Sequence, residues 1–181
     1  NGSIAGIFGA SGQSCVAGSR LYLHESIADE FLDKMLNLAS KIKLGDPLQE
    51  ETQMGPLATL GQMNLIENEI SNAKAQGAKI LHGGKRPSNA NGGWFYEPTI
   101  VDCHDQKLKI VDTELFGPVL SVIRFKSEEE VIKLANDTKY GLAAGVFTKN
   151  GARSLRVTKA LRAGIVWVNT YRVVSPIAPF G

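Results

Sequence analysis

Thiols are scarce in this chain, which holds two cysteines, Cys15 and Cys103, among 181 residues. Two cysteines make no disulfide framework, and a chain of this size buries roughly 70% of its unfolded surface without covalent staples. There is no CxxC, no HExxH and no grouping of His, Cys and carboxylates at ligand spacing, so the sequence offers no metal site. Long apolar runs are absent too. No stretch approaches the roughly 20 residues needed to cross a bilayer, and the first residues lack a charged segment followed by an apolar one. Neither charge dominates: 20 Lys and Arg stand against 18 Asp and Glu, a net of +2 spread along the chain, which excludes a basic patch for nucleic acid or for an anionic membrane. Together these absences predict a soluble cytoplasmic protein with reduced thiols. The sequons Asn1-Gly2-Ser3 and Asn136-Asp137-Thr138 carry no weight without a secretory signal, and the second reads as a helix end.

What is present is alternation. Ser26 with Asp29 starts a helix whose apolar residues Ile27, Phe31, Met35, Leu38 and Ile42 keep helical spacing until Gly45 and Pro47, and the short run Leu21-Tyr22-Leu23 before it suits a buried strand. A second helix runs from Thr59 to Gln76 with Gly77 at its end, followed by a strand at Lys79–His82. The polar stretch Gly83–Gly93 is a surface loop; its glycines before Lys85 lack the spacer and the Ser or Thr of a phosphate loop. Strands follow at Thr99–Val101 and Val119–Ile123, then a helix capped by Ser127. A last β-α-β unit has strands at Ala144–Phe147 and Ile165–Val168 around an Asn150-capped helix. Continuous apolar strands between helices predict an α/β fold, a largely parallel Rossmann-like sheet with helices on both faces, in one domain over residues 1–181. In such sheets sites gather beyond the carboxyl ends of the strands, which would let Asn169, Thr170 and Tyr171 line one. The chain opens on an apolar and glycine run without a cap and stops without a polar tail, so it reads as a segment truncated at both ends.

Two segments carry chemistry. Gln13-Ser14-Cys15 closes the run Gly6-Ile7-Phe8-Gly9-Ala10-Ser11-Gly12, which puts a thiol on a glycine-flexible loop. Glu114 enters the Gly-Pro turn of Glu114-Leu115-Phe116-Gly117-Pro118-Val119. Taken singly, a free cysteine among small neighbours is a buried small hydrophobe, and Cys103 keeps that reading. With GQSCVAGSRLYL, KLGDP, MGPLAT, GWFYEPTIV, ELFGPVLSV, NDTKYGLAAGVF, AGIVWVNTYR and APFG in this order, nearly the whole chain resembles the catalytic domain of the aldehyde dehydrogenase superfamily.

The resemblance implies oxidation of an aldehyde to a carboxylic acid with hydride passing to NAD or NADP, through a thiohemiacetal and a thioester on Cys15. Glu114 would hold the nicotinamide ribose hydroxyls and Phe116 would pack against the nicotinamide, with Ser14 leaving room beside the thiol. Phe8 and Phe180 match positions near the family's substrate entry, and Tyr171 and Arg172 lie in its substrate loop. The general base, the oxyanion-hole asparagine and the dinucleotide turn belong to a cofactor domain that precedes the cysteine in the family. Gly6, Gly9 and Gly12 do not make that turn, having the wrong spacing and no strand before them. The chain is therefore expected not to turn over alone, and the resemblance makes the parent a homodimer or homotetramer. Two other readings stay open: a thiol acyl-transferase or esterase, which would need one of His24, His82 and His104 as base, and a non-catalytic α/β structural module.

Overall fold

The computed structural model describes residues 2–88 and 92–181; Asn1 of the first sequon and the centre of the Gly83–Gly93 loop lie outside the described residues. Strands β1 (Arg20–His24), β2 (Lys79–His82), β3 (Thr99–Cys103) and β4 (Val119–Phe125) form one sheet in the order β1-β4-β3-β2. β4 runs parallel to β1 and β3, and β2 closes the edge antiparallel to β3. β5 (Ala143–Val146) and β6 (Ile165–Val168) pair in parallel as a separate two-stranded ladder. The expected single sheet is thus divided, although the β-α-β reading of its last unit holds.

Period-two alternation explains why helices cover both faces of the four-stranded sheet. Val101 and Cys103 of β3 and Val119 and Ile123 of β4 face one core, completed by Met63, Ile66, Ile70 and Ala73 of helix α3 (Leu60–Ala75). Ile100, Leu120 and Val122, one residue out of phase, face a second core with Ile7 and Phe8 of helix α1 (Gly2–Phe8) and Ala28, Leu32 and Met35 of helix α2 (Glu25–Ala39). Glu69 is the charged residue of α3 that enters its core, where it pairs with Lys109 of the short helix α4 (Lys109–Asp112). Helices α5 (Glu128–Asn136) and α6 (Gly151–Ala160) accompany the small ladder, and Asn136 joins them by donating to the Ala160 carbonyl at 2.8 Å and accepting from the Arg162 N–H at 2.8 Å.

Two caps fall where they were read, Ser127 and Asn150, which accept from the N–H groups of Glu130 and Arg153. Thr59, the expected start of the second helix, also caps it by accepting from the Gln62 N–H. Helix α2 differs at both ends. His24, rather than Ser26, is its N-cap, accepting from the Ser26 N–H at 3.2 Å, because the strand runs directly into the helix. It stops at Ala39, short of Gly45; Ile42 lies beyond it and packs against the second core from a loop. The larger correction is at the start, where the glycine-rich run is not an open loop but a seven-residue helix followed by a 3₁₀ turn over Gly9–Gly12. Burying Ile7 and Phe8 outweighs the glycines' low helix propensity.

Cys103 provides a test of the first core. Burial pushes its thiol up to about 11. Its protonated form is the one the core accommodates, so its contribution is complete below the ordinary thiol value of about 8.5 and is lost as pH rises to about 11, a swing of about 3 kcal/mol. Urea midpoints measured from pH 8 to 11 should therefore fall less steeply in Cys103→Ala than in the parent chain; parallel slopes would count against a buried neutral thiol.

Candidate active site

The cysteine is presented by strained backbone. In the turn after α1, Ala10 (φ 54°), Ser11 (φ 55°) and Gly12 (φ 71°) are all left-handed, a conformation that costs non-glycine residues about 1–2 kcal/mol each. Side chains offset that cost. The Ser11 hydroxyl donates to the Gly55 carbonyl at 2.8 Å, Gln13 Nε2 donates to the Pro56 carbonyl at 3.3 Å, and Gln13 Oε1 accepts the Ala58 N–H at 2.8 Å. A turn closed by the Ala17 N–H on the Ser14 carbonyl, at 2.9 Å, then carries Ser14, half-buried, and Cys15, exposed. The Cys15 N–H has no protein acceptor among the described residues, so a backbone donor stands beside the thiol.

Gly12 joins this loop to the second motif. A Cβ there would lie 2.0 Å from the Gly117 carbonyl oxygen, so the two backbones touch. In the Glu114–Pro118 turn, Leu115 is buried while Glu114 and Phe116 point outward. Phe116 is left-handed (φ 47°) and 40% exposed, so its ring does not pack in the core. The Glu114 N–H meets the Tyr140 hydroxyl at 3.2 Å, and the Gln62 side chain donates to the Leu115 carbonyl. Among the described residues the Glu114 carboxylate has no side-chain partner, so its acceptors and the Phe116 ring are both presented outward from this turn.

Both motifs lead into amino ends of strands. The Ser121 N–H of β4 bonds the Ser19 carbonyl just before β1 at 2.9 Å, and the Thr99 N–H of β3 bonds the Pro118 carbonyl at 2.8 Å. The expectation of a site at carboxyl ends is therefore corrected for the main sheet: adjacent parallel strands β1 and β4 receive their incoming connections on the same side, and those connections carry Cys15 and Glu114. The carboxyl-end rule applies only to the small ladder, whose exit loop reaches the same place. There the Tyr171 ring lies so close to Gly6, Gly18 and Gly145 that a Cβ on each would come within 3.1, 3.5 and 2.6 Å of it.

Tyr171 is half-buried in this contact and edge-on to Trp167, at 4.8 Å between centroids, and burial raises its phenol. Its ring fills the space between the ladder and the cysteine loop. Arg172 (φ 65°) directs Nη1 to the Ala5 carbonyl at 3.2 Å, and Asn169 (φ 54°) holds Thr148 through both its amide atoms, at 2.9 and 3.0 Å. Two of the sequence-read residues are not brought to the thiol. Phe8 is 3% exposed and belongs to the second core, because α1 turns it beneath the sheet. Phe180 is exposed on a segment whose end, Gly181, packs on Gly164 and Leu142 at the amino end of the small ladder, opposite Tyr171. Ser11, Gln62 and Tyr140 are contributors that the sequence reading missed; only the motif neighbours of Cys15 carried any local signal.

His24 lies at the far, carboxyl end of β1, bonded to Ser26 and to the Lys126 carbonyl at 3.0 Å, and His82 and His104 belong to or follow β2 and β3. None pairs with Cys15, which removes the imidazole base that the acyl-transferase reading needs. A groove of about 650 Å³ between Ser40, Asp46, Thr52, His82 and Glu97 contains neither motif, and the exposed thiol is the better guide to chemistry. At pH 8 only about one Cys103 thiol in a thousand is ionised. Iodoacetamide followed by peptide mass mapping should consequently label Cys15 and leave Cys103 unmodified; equal labelling would contradict this placement.

The chain matches the model of the Aldehyde dehydrogenase family over residues 1–181. It is 53% identical to a (Z)-2-((N-methylformamido)methylene)-5-hydroxybutyrolactone dehydrogenase of Acinetobacter baylyi, covering 100% of this chain and 37% of the relative. It is 47% identical to a chloroplastic betaine aldehyde dehydrogenase of Atriplex hortensis, over 99% of this chain and 36% of the relative. Among solved structures it is similar to betaine aldehyde dehydrogenase of Staphylococcus aureus in complex with NAD+, with a TM-score of 0.97 and 41% identity, over 99% of this chain and 36% of that one. The chain thus spans a little over a third of the length of these proteins.

Proposed function

Because the chain belongs to the aldehyde dehydrogenase family, we propose that it supplies the nucleophile and the nicotinamide-side contacts of an NAD(P)-dependent enzyme that oxidises an aldehyde to a carboxylic acid. The observation that carries this reading is the contact of Gly12 with Gly117, which sets an exposed thiol against the turn bearing an outward carboxylate and an outward ring. The relatives' names specify different substrates, a hydroxybutyrolactone derivative and betaine aldehyde, so the proposal stops at the aldehyde class.

Cys15, as thiolate, adds to the aldehyde carbon. The negative charge that develops on the former carbonyl oxygen is met by the Cys15 N–H, a contribution of about 3 kcal/mol for a well-placed donor. NAD or NADP, when bound, would supply the hydride acceptor. Glu114 would accept hydrogen bonds from the ribose hydroxyls and Phe116 would cover one side of the nicotinamide, so both would orient and exclude water without bonding to the reacting carbon. The acyl group left on Cys15 is a thioester, and water hydrolyses it to the acid and returns the thiol.

Among the described residues no helix is long and apolar enough to cross a membrane, and both cysteines are free. The free thiols fit a reducing compartment, and the resemblance supports a homodimer or homotetramer of the relatives' full length. In a polypeptide of that length carrying this chain, Cys15→Ala should lower NADH formation from an aldehyde by about 10³-fold or more. Glu114→Gln should raise the KM for NAD with a smaller change in kcat, and the 181-residue chain alone should form no NADH. Undiminished NADH formation by Cys15→Ala would sink the assignment.

A further inference from the structure

The left-handed turn that carries Cys15 and the turn that carries Glu114 and Phe116 are fastened to one short piece of chain, Gly55–Gln62. At its start the Gly55 and Pro56 carbonyls accept from Ser11 and Gln13, and its Ala58 N–H donates to Gln13. At its end Thr59 caps α3 by accepting from the Gln62 N–H at 3.1 Å, and the Gln62 side chain donates to the Leu115 carbonyl between Glu114 and Phe116. Leu57, between the two tethers, is buried in the first core and donates its N–H to the Trp94 carbonyl at 2.9 Å. The strap is therefore anchored in the interior while its polar groups face two loops.

We propose that Gln13 and Gln62 are positioning residues, which set the Cys15 loop and the Glu114–Phe116 turn in register by bonding both to the Gly55–Gln62 strap. Neither touches the reacting atoms. Gln13 acts through the left-handed turn: without its two bonds, Ala10 and Ser11 lose part of what keeps them at φ near 55°, and relaxation of either moves Cys15. Gln62 acts through Leu115, whose neighbour Phe116 is itself left-handed. Gly12 and Gly117 are in contact, so a shift of either turn is felt by the other.

This inference rests on Cys15 being the nucleophile, and its test separates the two. In the enzyme of the relatives' length carrying this chain, Gln13→Met removes both tethers at nearly constant size. It should raise amide hydrogen exchange about tenfold in peptides covering residues 9–17, with exchange of β3 and β4 and the melting temperature unchanged. The kcat should fall about 10- to 100-fold, the scale of an ångström of misplacement, with KM for NAD within about twofold. Gln62→Met should loosen peptides covering 113–117 instead and raise the KM for NAD. Gln13→Glu, which keeps the acceptor for the Ala58 N–H, should recover most of kcat and serves as the test if Gln13→Met does not fold. Unchanged exchange at 9–17 or unchanged kcat in Gln13→Met, with Cys15→Ala inactive, overturns the positioning role and leaves the nucleophile in place. An active Cys15→Ala enzyme overturns the nucleophile reading itself.

Discussion

The backbone contact between Gly12 and Gly117 is the constraint around which this chain is organised. It is made possible by two glycines and by nothing larger, since a Cβ on Gly12 would overlap the Gly117 carbonyl and one on Gly117 would lie 2.3 Å from Ile66 Cδ1. A thiol from before β1 and a carboxylate from before β4 are brought together because those strands are parallel neighbours. Sheet topology does the coarse placing, and the glycine contact does the fine placing.

Strain concentrates at the same point. Of the described non-glycine residues with positive φ, Ala10, Ser11, Phe116, Asn169 and Arg172, every one belongs to the three loops that converge there. Three of the five are held by a side-chain bond to a neighbouring segment: Ser11 on Gly55, Asn169 on Thr148, Arg172 on Ala5. Strained backbone held by specific polar bonds gives a preorganised site, in which reacting groups need not be reordered during reaction.

The regular elements were legible in the sequence, because burial imposes a helical spacing on α3 and a continuous apolar run on strands covered on both faces: α3, the strands begun at Thr99 and Val119, and the strand at Lys79–His82 all lie where they were read. Cys15 and Glu114 were legible through the ordered segments around them. What escaped was decided by distant contacts. Helix α1 is formed by burial of Ile7 and Phe8 against residues from β1, β3 and β4, and that same burial takes Phe8 out of the site. The amino-end location of the thiol depends on β1 pairing with β4, a partner about 100 residues away in sequence, which no local pattern encodes. Ser11 and Gln62 have no periodic or motif signal because their value lies in one acceptor each.

The division into a four-stranded sheet and a two-stranded ladder gives the molecule parts of unequal durability. The larger sheet is packed on both faces, whereas α5 buries no side chain completely and α6 buries only Val157. Cooperative units with few fully buried side chains open at lower free energy than the rest of a fold. Tyr171 belongs to the weaker unit, yet its ring fills the space left by Gly6 and Gly18 beside the cysteine loop. The surroundings of the thiol are thus shared between a sheet packed on both faces and a ladder whose helices bury little within this chain.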